Sequence, residues 1–95
     1  MNIKWSKTAL NNLMAALEYL EKKGYYKYAA KLENEILKTI QALPRTHLHY
    51  ENDRFKLNND STFKAFIIDK YRVSFRVILS EIHILRIRHT SRKPK

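Results

Sequence analysis

Cysteine is absent from this chain of 95 residues, and glycine and proline are scarce, with one and two residues respectively. Without cysteine, the chain can form neither a disulfide framework nor a thiolate metal site. The scarcity of glycine and proline favours well-formed helices and strands joined by short connections. No run of about 18 apolar residues, the length that spans a membrane, occurs anywhere in the sequence.

The first residues do not resemble a targeting segment. Residues 1–5 are not followed by the apolar stretch of a signal peptide. We therefore expect a cytoplasmic protein that makes no contact with a membrane.

Apolar residues make up 44% of the chain and aromatic residues 12%, which is enough to bury a core. A chain of this length is close to the commonest size of one domain. We predict a single domain over residues 1–95.

Acidic residues are few: nine aspartates and glutamates stand against 19 lysines and arginines, for a net charge of +10. The excess lies in residues 70–95, where Glu81 is the one acidic residue among eight basic ones. These are Lys70, Arg72, Arg76, Arg86, Arg88, Arg92, Lys93 and Lys95. Such a cluster predicts an acidic protein or a nucleic acid as the partner.

Hydrophobic periodicity predicts a short strand over residues 2–5 and then two helices. Ser6 is a typical N-cap, Gly24 a typical C-terminal residue, and Pro44 is expected to end the second helix. One apolar stripe consists of Leu10, Leu13, Met14, Leu17 and Leu20, and the other of Ala29, Leu32, Ile36, Ile40 and Leu43. Two such helices joined at a glycine indicate an antiparallel hairpin.

A polar connection is predicted at 45–60, with Phe55 and Leu57 as apolar residues that anchor it to the fold. After it, the period of the hydrophobic pattern changes from 3.6 residues to 2. Strands are predicted over residues 62–68, 71–79 and 82–88, with turns at 69–70 and 80–81. In the middle strand Tyr71, Val73, Phe75, Val77 and Leu79 are expected on one face. The predicted fold class is α+β, with the order β-α-α-β-β-β: a helical hairpin packed on a small twisted antiparallel sheet.

Basic residues on the sheet are the first candidate site. Arg72 and Arg76 share one face of the middle strand, and Lys64 on the preceding strand is expected to join that face. Guanidinium groups bind phosphates bidentately and can stabilise the charge that develops when a phosphodiester is cleaved. The alternative is a solvated outer face with no function beyond solubility.

The end of the chain is the second candidate site, because His89 stands there among Arg86, Arg88, Arg92 and Lys93. A neutral histidine there could act as a general base, although a structural role is the alternative. Tyr25, Tyr26 and Tyr28 could stack on bases, or could hold the helical hairpin together. His47, His49 and His83 lack carboxylate or cysteine partners at a metal-binding spacing, so we predict no metal and no cofactor.

The sequence resembles the RelE/ParE superfamily of bacterial toxins over almost its whole length. The resemblance rests on residues 3–6 (IKWS) followed by Ala9, on 71–77 (YRVSFRV), on 82–87 (IHILRI) and on the ending 89–92 (HTSR). It implies the toxin of a type II toxin–antitoxin (plasmid stabilisation) module, bound in a hetero-oligomer by a small acidic antitoxin. ParE-like members inhibit DNA gyrase without a recognised catalytic set, whereas RelE-like members cleave mRNA on the ribosome.

Carried over by position, Arg72 matches the superfamily's arginine after the strand tyrosine, and Lys64 one strand lysine. Phe66 stands where a second lysine is expected, and the chain has no C-terminal tyrosine such as many ribonuclease members use. The resemblance therefore favours a ParE-like toxin, with an mRNA endoribonuclease as the alternative. Its catalytic residues would be Arg72, His89 and Arg92, and in either case Lys64, Arg72, Arg76, Arg86, Arg88, Arg92 and Lys93 are expected to contact the target.

Overall fold

The computed structural model describes residues 1–91, which form a four-stranded sheet and two helices. The elements are β1 (Asn2–Trp5), α1 (Lys7–Lys22), α2 (Tyr26–Thr46), a 3-10 turn (His47–His49), β2 (Phe63–Ile68), β3 (Tyr71–Ile78) and β4 (Glu81–His89). This order confirms the predicted α+β class. Within residues 1–91, no helix is long and apolar enough to cross a membrane.

The strand order is β1-β4-β3-β2, so β4 is a central strand, with β1 and β3 as its neighbours. The three C-terminal strands form an antiparallel meander, but β1 pairs with β4 in parallel. The prediction of a purely antiparallel sheet is therefore wrong at this edge. The chain crosses from β1 through both helices and two strands before β4 lies beside it, and this long crossover permits a parallel pair.

Capping interactions define the helical hairpin. The Ser6 hydroxyl accepts a hydrogen bond from the Ala9 amide at 2.9 Å, which confirms the N-cap of α1. Gly24 has a φ of +84°, and the amides of Gly24 and Tyr25 donate to the carbonyls of Glu21 and Leu20. This pair of bonds is a Schellman motif, and glycine adopts its left-handed conformation without steric cost.

Pro44 does not end the second helix, which continues to Thr46. Proline removes one backbone donor, and so close to the C-terminus only the carbonyl of Ile40 loses a helical partner. The helical stripe of α1 is also narrower than predicted, because Leu10 and Met14 are 47% and 58% exposed.

One core lies between the helices and one face of the sheet. Its buried members are Ala9, Leu13, Leu20, Ala29, Leu32, Ile36, Ile40 and Leu43 from the helices, and Phe66, Tyr71, Val73, Phe75, Ile82, Ile84 and Ile87 from the sheet. Leu79 does not belong to it, because β3 ends at Ile78 and the turn is formed by residues 79 and 80, one position earlier than predicted.

A β-bulge determines which residues of β4 face the core. Ile84 is opposite Phe75 and Arg86 is opposite Ser74, so Leu85 is an extra residue on β4. The Ser6 hydroxyl donates to the Leu85 carbonyl at 3.0 Å, and the bulge shifts the alternation by one residue. Ile82, Ile84 and Ile87 can therefore all point into the core.

Candidate functional site

The helices cover one face of the sheet, and the opposite face, here called the outer face, carries most of the predicted site. Strand register places Arg72 opposite Arg88, Ser74 opposite Arg86, and Arg76 opposite His83 on this outer face. Two of the predicted arginines, Arg72 and Arg76, lie four residues apart on β3, as expected. The outer face therefore carries a cluster of positive charge.

The connection before β2 folds over part of the outer face, and residues 51–62 are here called the covering loop. Asp53 in this loop forms a salt bridge with the guanidinium group of Arg72, whose side chain is only 18% exposed. The guanidinium carbon of Arg72 also lies 4.7 Å from the centre of the Phe55 ring. Phe55 is thus an anchor although its ring is 71% exposed, whereas Leu57, predicted as a second anchor, is 86% exposed.

A second carboxylate of the covering loop lies beside Arg76. Asp60 is 3.6 Å from its guanidinium group, and the Thr62 hydroxyl accepts a hydrogen bond from Arg76 Nε at 3.0 Å. Hydrogen bonds from the Thr62 hydroxyl and amide, with a smaller contribution from Arg76, hold the pKa of Asp60 below its usual range. Arg76 also stacks on Phe63 at 4.5 Å, so it too is already engaged within the chain.

Lys64 does not join the outer face. It is opposite Phe75, a core residue, and therefore points to the helix side of the edge strand β2. Its ammonium group donates to the Tyr50 carbonyl at 3.1 Å and to Asn52 Oδ1 at 3.4 Å. The prediction that Lys64 shares a face with Arg72 is wrong. Side chains alternate between faces along each strand, and the pairing of β2 with β3 places these two on opposite faces.

The arginines of β4 remain available. Arg86 is exposed and Arg88 is half-buried, and within residues 1–91 neither forms a salt bridge. Arg92 and Lys93, which were predicted to continue this surface, lie outside the described residues. The accessible positive charge of the outer face therefore lies on β4 rather than on β3.

His89 lies on the helix side of the sheet, opposite Tyr71, and their rings meet edge to face at 5.1 Å. The Ser91 amide donates to His89 Nδ1 at 3.2 Å, so a neutral ring carries its hydrogen on Nε2. The structure thus places His89 and Arg72 on opposite faces and does not assemble them into one catalytic group.

Tyrosines surround His89 in an open cleft of about 770 Å³. The cleft is lined by Tyr19, Tyr25, Tyr28 and Tyr71, together with Asp69 and Ser91. Tyr28 donates its hydroxyl to Asp69 at 3.1 Å, and burial, followed by this hydrogen bond, raises the pKa of Tyr28 to about 12. The bond joins the start of α2 to the β2–β3 turn, so it ties α2 to the sheet rather than to α1.

Of the other histidines, His47 and His83 make local contacts, whereas His49 is exposed. His47 Nδ1 donates to the Leu43 carbonyl at 2.9 Å, and His83 Nε2 lies 3.1 Å from Glu81. Within residues 1–91, no group of three histidine, aspartate or glutamate side chains gathers around a common point suited to a metal.

Sequence reasoning missed the two loop carboxylates. Asp53 and Asp60 lie in polar turn clusters, and the Arg72–Asp53 contact joins residues 19 positions apart. No local pattern signals such a pairing. His89 has the same parity as the core residue Ile87, but the bulge at Leu85 breaks the alternation of β4 before Ile87 and hides this relation in the sequence.

Comparisons with known proteins agree with this fold. Residues 3–94 match the family model described as the ParE toxin of the type II toxin–antitoxin system parDE. The search of curated proteins finds no significant match. Among solved structures, a chain of the chromosomal ParDE toxin–antitoxin system from P. aeruginosa is similar, with a TM-score of 0.77 and 20% identity over 96% of this chain and 97% of that one.

At that identity the structural likeness shows the fold alone, whereas the family model covers nearly the whole chain. Both agree with the resemblance drawn from the strand and tail motifs. Membership also implies an antitoxin as partner, because the family is defined within a toxin–antitoxin system. The chain belongs to the family of ParE toxins of type II toxin–antitoxin systems.

Proposed function

We propose that this toxin inhibits DNA gyrase in the cytoplasm by binding it through the outer face of the sheet, without cleaving nucleic acid, and that an acidic antitoxin neutralises it. The observation that carries this proposal is the separation of Arg72 from His89 by the thickness of the sheet. Cleavage of a phosphodiester requires a base and a charge stabiliser within reach of the same phosphate. Side chains that leave the sheet from opposite faces are poorly placed to meet at one phosphate.

The pairing of the β3 arginines supports the same conclusion. Arg72 and Arg76 already contact Asp53 and Asp60, so their charge is largely compensated within the chain. Arg86 and, in part, Arg88 stay accessible on the neighbouring strand. Accessible charges at an interface steer association and set specificity more than they add affinity, which suits a toxin that works by binding a protein.

The proposal is tested with purified toxin and two reactions. Supercoiling of relaxed plasmid DNA by gyrase should be inhibited, and mRNA in a ribosomal translation reaction should stay intact. Cleaved mRNA together with undisturbed supercoiling would overturn the proposal in favour of the endoribonuclease.

Charge reversal then locates the surface. Arg86→Glu with Arg88→Glu should weaken binding to gyrase at least tenfold, because two attractive contacts become repulsive. Lys27→Glu with Lys38→Glu makes the same change of charge on exposed positions of α2 and is the matched control. Equal losses in both pairs would mean that net charge, rather than the outer face, governs binding.

The acidic character of the antitoxin is tested in the toxin–antitoxin complex. With a net charge of +10 on the toxin, association with an acidic partner should become slower as salt concentration increases. An association rate that is independent of salt would contradict this part of the proposal.

A further inference from the structure

The tip of the β3–β4 hairpin has an unusual composition for its backbone. Ile78 pairs with Glu81, so Leu79 and Ser80 form a two-residue turn, and their φ angles are +48° and +63°. Two central residues with positive φ are typical of a type I′ turn, for which Asn-Gly is strongly preferred. Leucine in this conformation carries a steric cost that asparagine or glycine would largely avoid.

The side chain at this tip gains nothing from the fold. Leu79 is 90% exposed, the highest value among the large apolar side chains of residues 1–91. The other non-glycine residues of positive φ outside this turn are polar: Asn58, Ser61 and Asp69. Asp69 begins the comparable β2–β3 turn, and its carboxylate binds Tyr28. The side chain of Leu79 neither packs against the chain nor stabilises its own turn. A contact with a partner would be a physical reason for a strained backbone at this position.

The tip is held rigidly and adjoins the outer face. The Asn2 amide donates to the Ser80 carbonyl at 3.3 Å, and both strands of the hairpin are paired up to the turn. Ile78 alternates with Arg76 and therefore lies on the outer face directly before Leu79. An apolar side chain on a fixed support loses little conformational freedom when it binds.

We propose that Leu79 is a hydrophobic contact residue that inserts into an apolar pocket on gyrase when the outer face binds. This inference rests on the proposed function, since it takes the same protein as the partner. The continuity between the tip and the outer face selects that partner over the antitoxin. Burial of the exposed leucine side chain in such a pocket would remove its apolar surface from water and so add affinity to the contacts that the arginines make.

Three variants of the full chain test the contact, each measured for affinity to gyrase, affinity to the antitoxin, and Tm. Leu79→Asn should weaken binding to gyrase at least tenfold, without a decrease in Tm, because asparagine suits the turn. Ser80→Gly reduces the backbone strain of the same turn but keeps the leucine. The Tm of this variant should increase, while its affinity for gyrase stays within twofold of wild type. Leu48→Asn removes another exposed leucine, from the 3-10 turn that follows α2, and should leave both affinities unchanged.

The outcomes separate this inference from the proposed function. Wild-type toxin that fails to bind gyrase would overturn the proposed function, and the contact with it. Wild-type binding that Leu79→Asn leaves within twofold would overturn the contact alone. If Ser80→Gly lost as much affinity for gyrase as Leu79→Asn, the turn rather than the leucine would matter. If Leu79→Asn weakened only the binding of the antitoxin, the tip would belong to that partner. Either result overturns the inference.

Discussion

The two faces of the sheet use the same strands for different purposes. On the helix side Val73, Phe75, Ile82 and Ile84 are fully buried. On the outer face the intervening positions carry arginine, serine and histidine, and helices do not cover them. Alternation along a strand thus divides one segment into residues that stabilise the fold and residues that remain available to a partner.

The outer face is itself divided. Under the covering loop, Arg72 is 18% exposed and bonded to Asp53, whereas Arg86 one strand away is exposed. A basic residue counted in the sequence is therefore not always a charge that a partner can meet. The covered part of the outer face should respond to mutation like an interior, and the open part like a surface.

The largest expected effect on stability comes from a change on the helix side of the sheet. Phe75→Ala should lower the free energy of unfolding by about 3–5 kcal/mol, because a fully buried ring is lost and a cavity remains. Ile67→Ala on the outer face is the control, since Ile67 is 54% exposed, and it should cost below about 1 kcal/mol. Urea denaturation measures both, and similar losses would contradict the division between the faces.

The second prediction concerns the covered part of the outer face. Asp53→Asn leaves the guanidinium group of Arg72 mostly buried without its counter-charge, and should cost about 2 kcal/mol. Asp60→Asn is the matched change at the exposed pair with Arg76, and its midpoint of denaturation should stay near that of wild type.

A double-mutant cycle identifies the cause of that loss. In an Arg72→Met background, Asp53→Asn should cost much less than in wild type, because no buried charge is left unpaired. Equal costs in the two backgrounds would mean that Asp53 acts through the loop backbone, where it also accepts a bond from the Phe55 amide at 3.0 Å.

The elements and the core could be predicted because each depends on local spacing. Ser6, Gly24 and the helical stripes determine the helices, and the alternation of Tyr71, Val73 and Phe75 determines β3. The exposed Leu79 departs from that alternation because the turn begins one residue early. Ser80 is a typical turn former and predicts a turn at 80–81, but nothing in the sequence indicates that Leu79 takes the first central position of that turn.

The candidate site was harder to predict, because its state depends on contacts between distant residues. Lys64 was assigned to the wrong face because strand parity follows from pairing, which spacing within one strand does not give. The Asp53–Arg72 salt bridge depends on the path of a polar loop. His89 could have been placed through Ile87, but only with knowledge of the bulge at Leu85, which breaks the alternation earlier in β4.

The third prediction tests how that bulge keeps the two faces apart. Ser6→Ala removes the bond to the Ala9 amide and the bond to the Leu85 carbonyl, and should cost about 1 kcal/mol. Ser74→Ala on the outer face, where the hydroxyl makes one 3.4 Å bond, should change the free energy of unfolding by less than about 0.5 kcal/mol. If Ser6→Ala costs no more than Ser74→Ala, the Ser6 hydroxyl does not stabilise the bulge.

The smallest effect lies at the edge of the helix face and depends on pH. The pKa of Tyr28 is raised to about 12, chiefly by burial and then by its bond to Asp69, so the folded state favours the protonated phenol. The unfolded state releases this proton near pH 10, and the contribution of Tyr28 to stability should therefore be complete below pH 10 and decrease as pH rises towards 12.

Tyr28→Phe should cost about 0.5 kcal/mol at pH 8, and its difference from wild type should narrow at pH 11. Urea denaturation at both pH values measures this, with Tyr26→Phe, a change at a 65% exposed ring, as the control. A constant difference between wild type and Tyr28→Phe would show that the phenol of Tyr28 contributes through packing rather than through its proton.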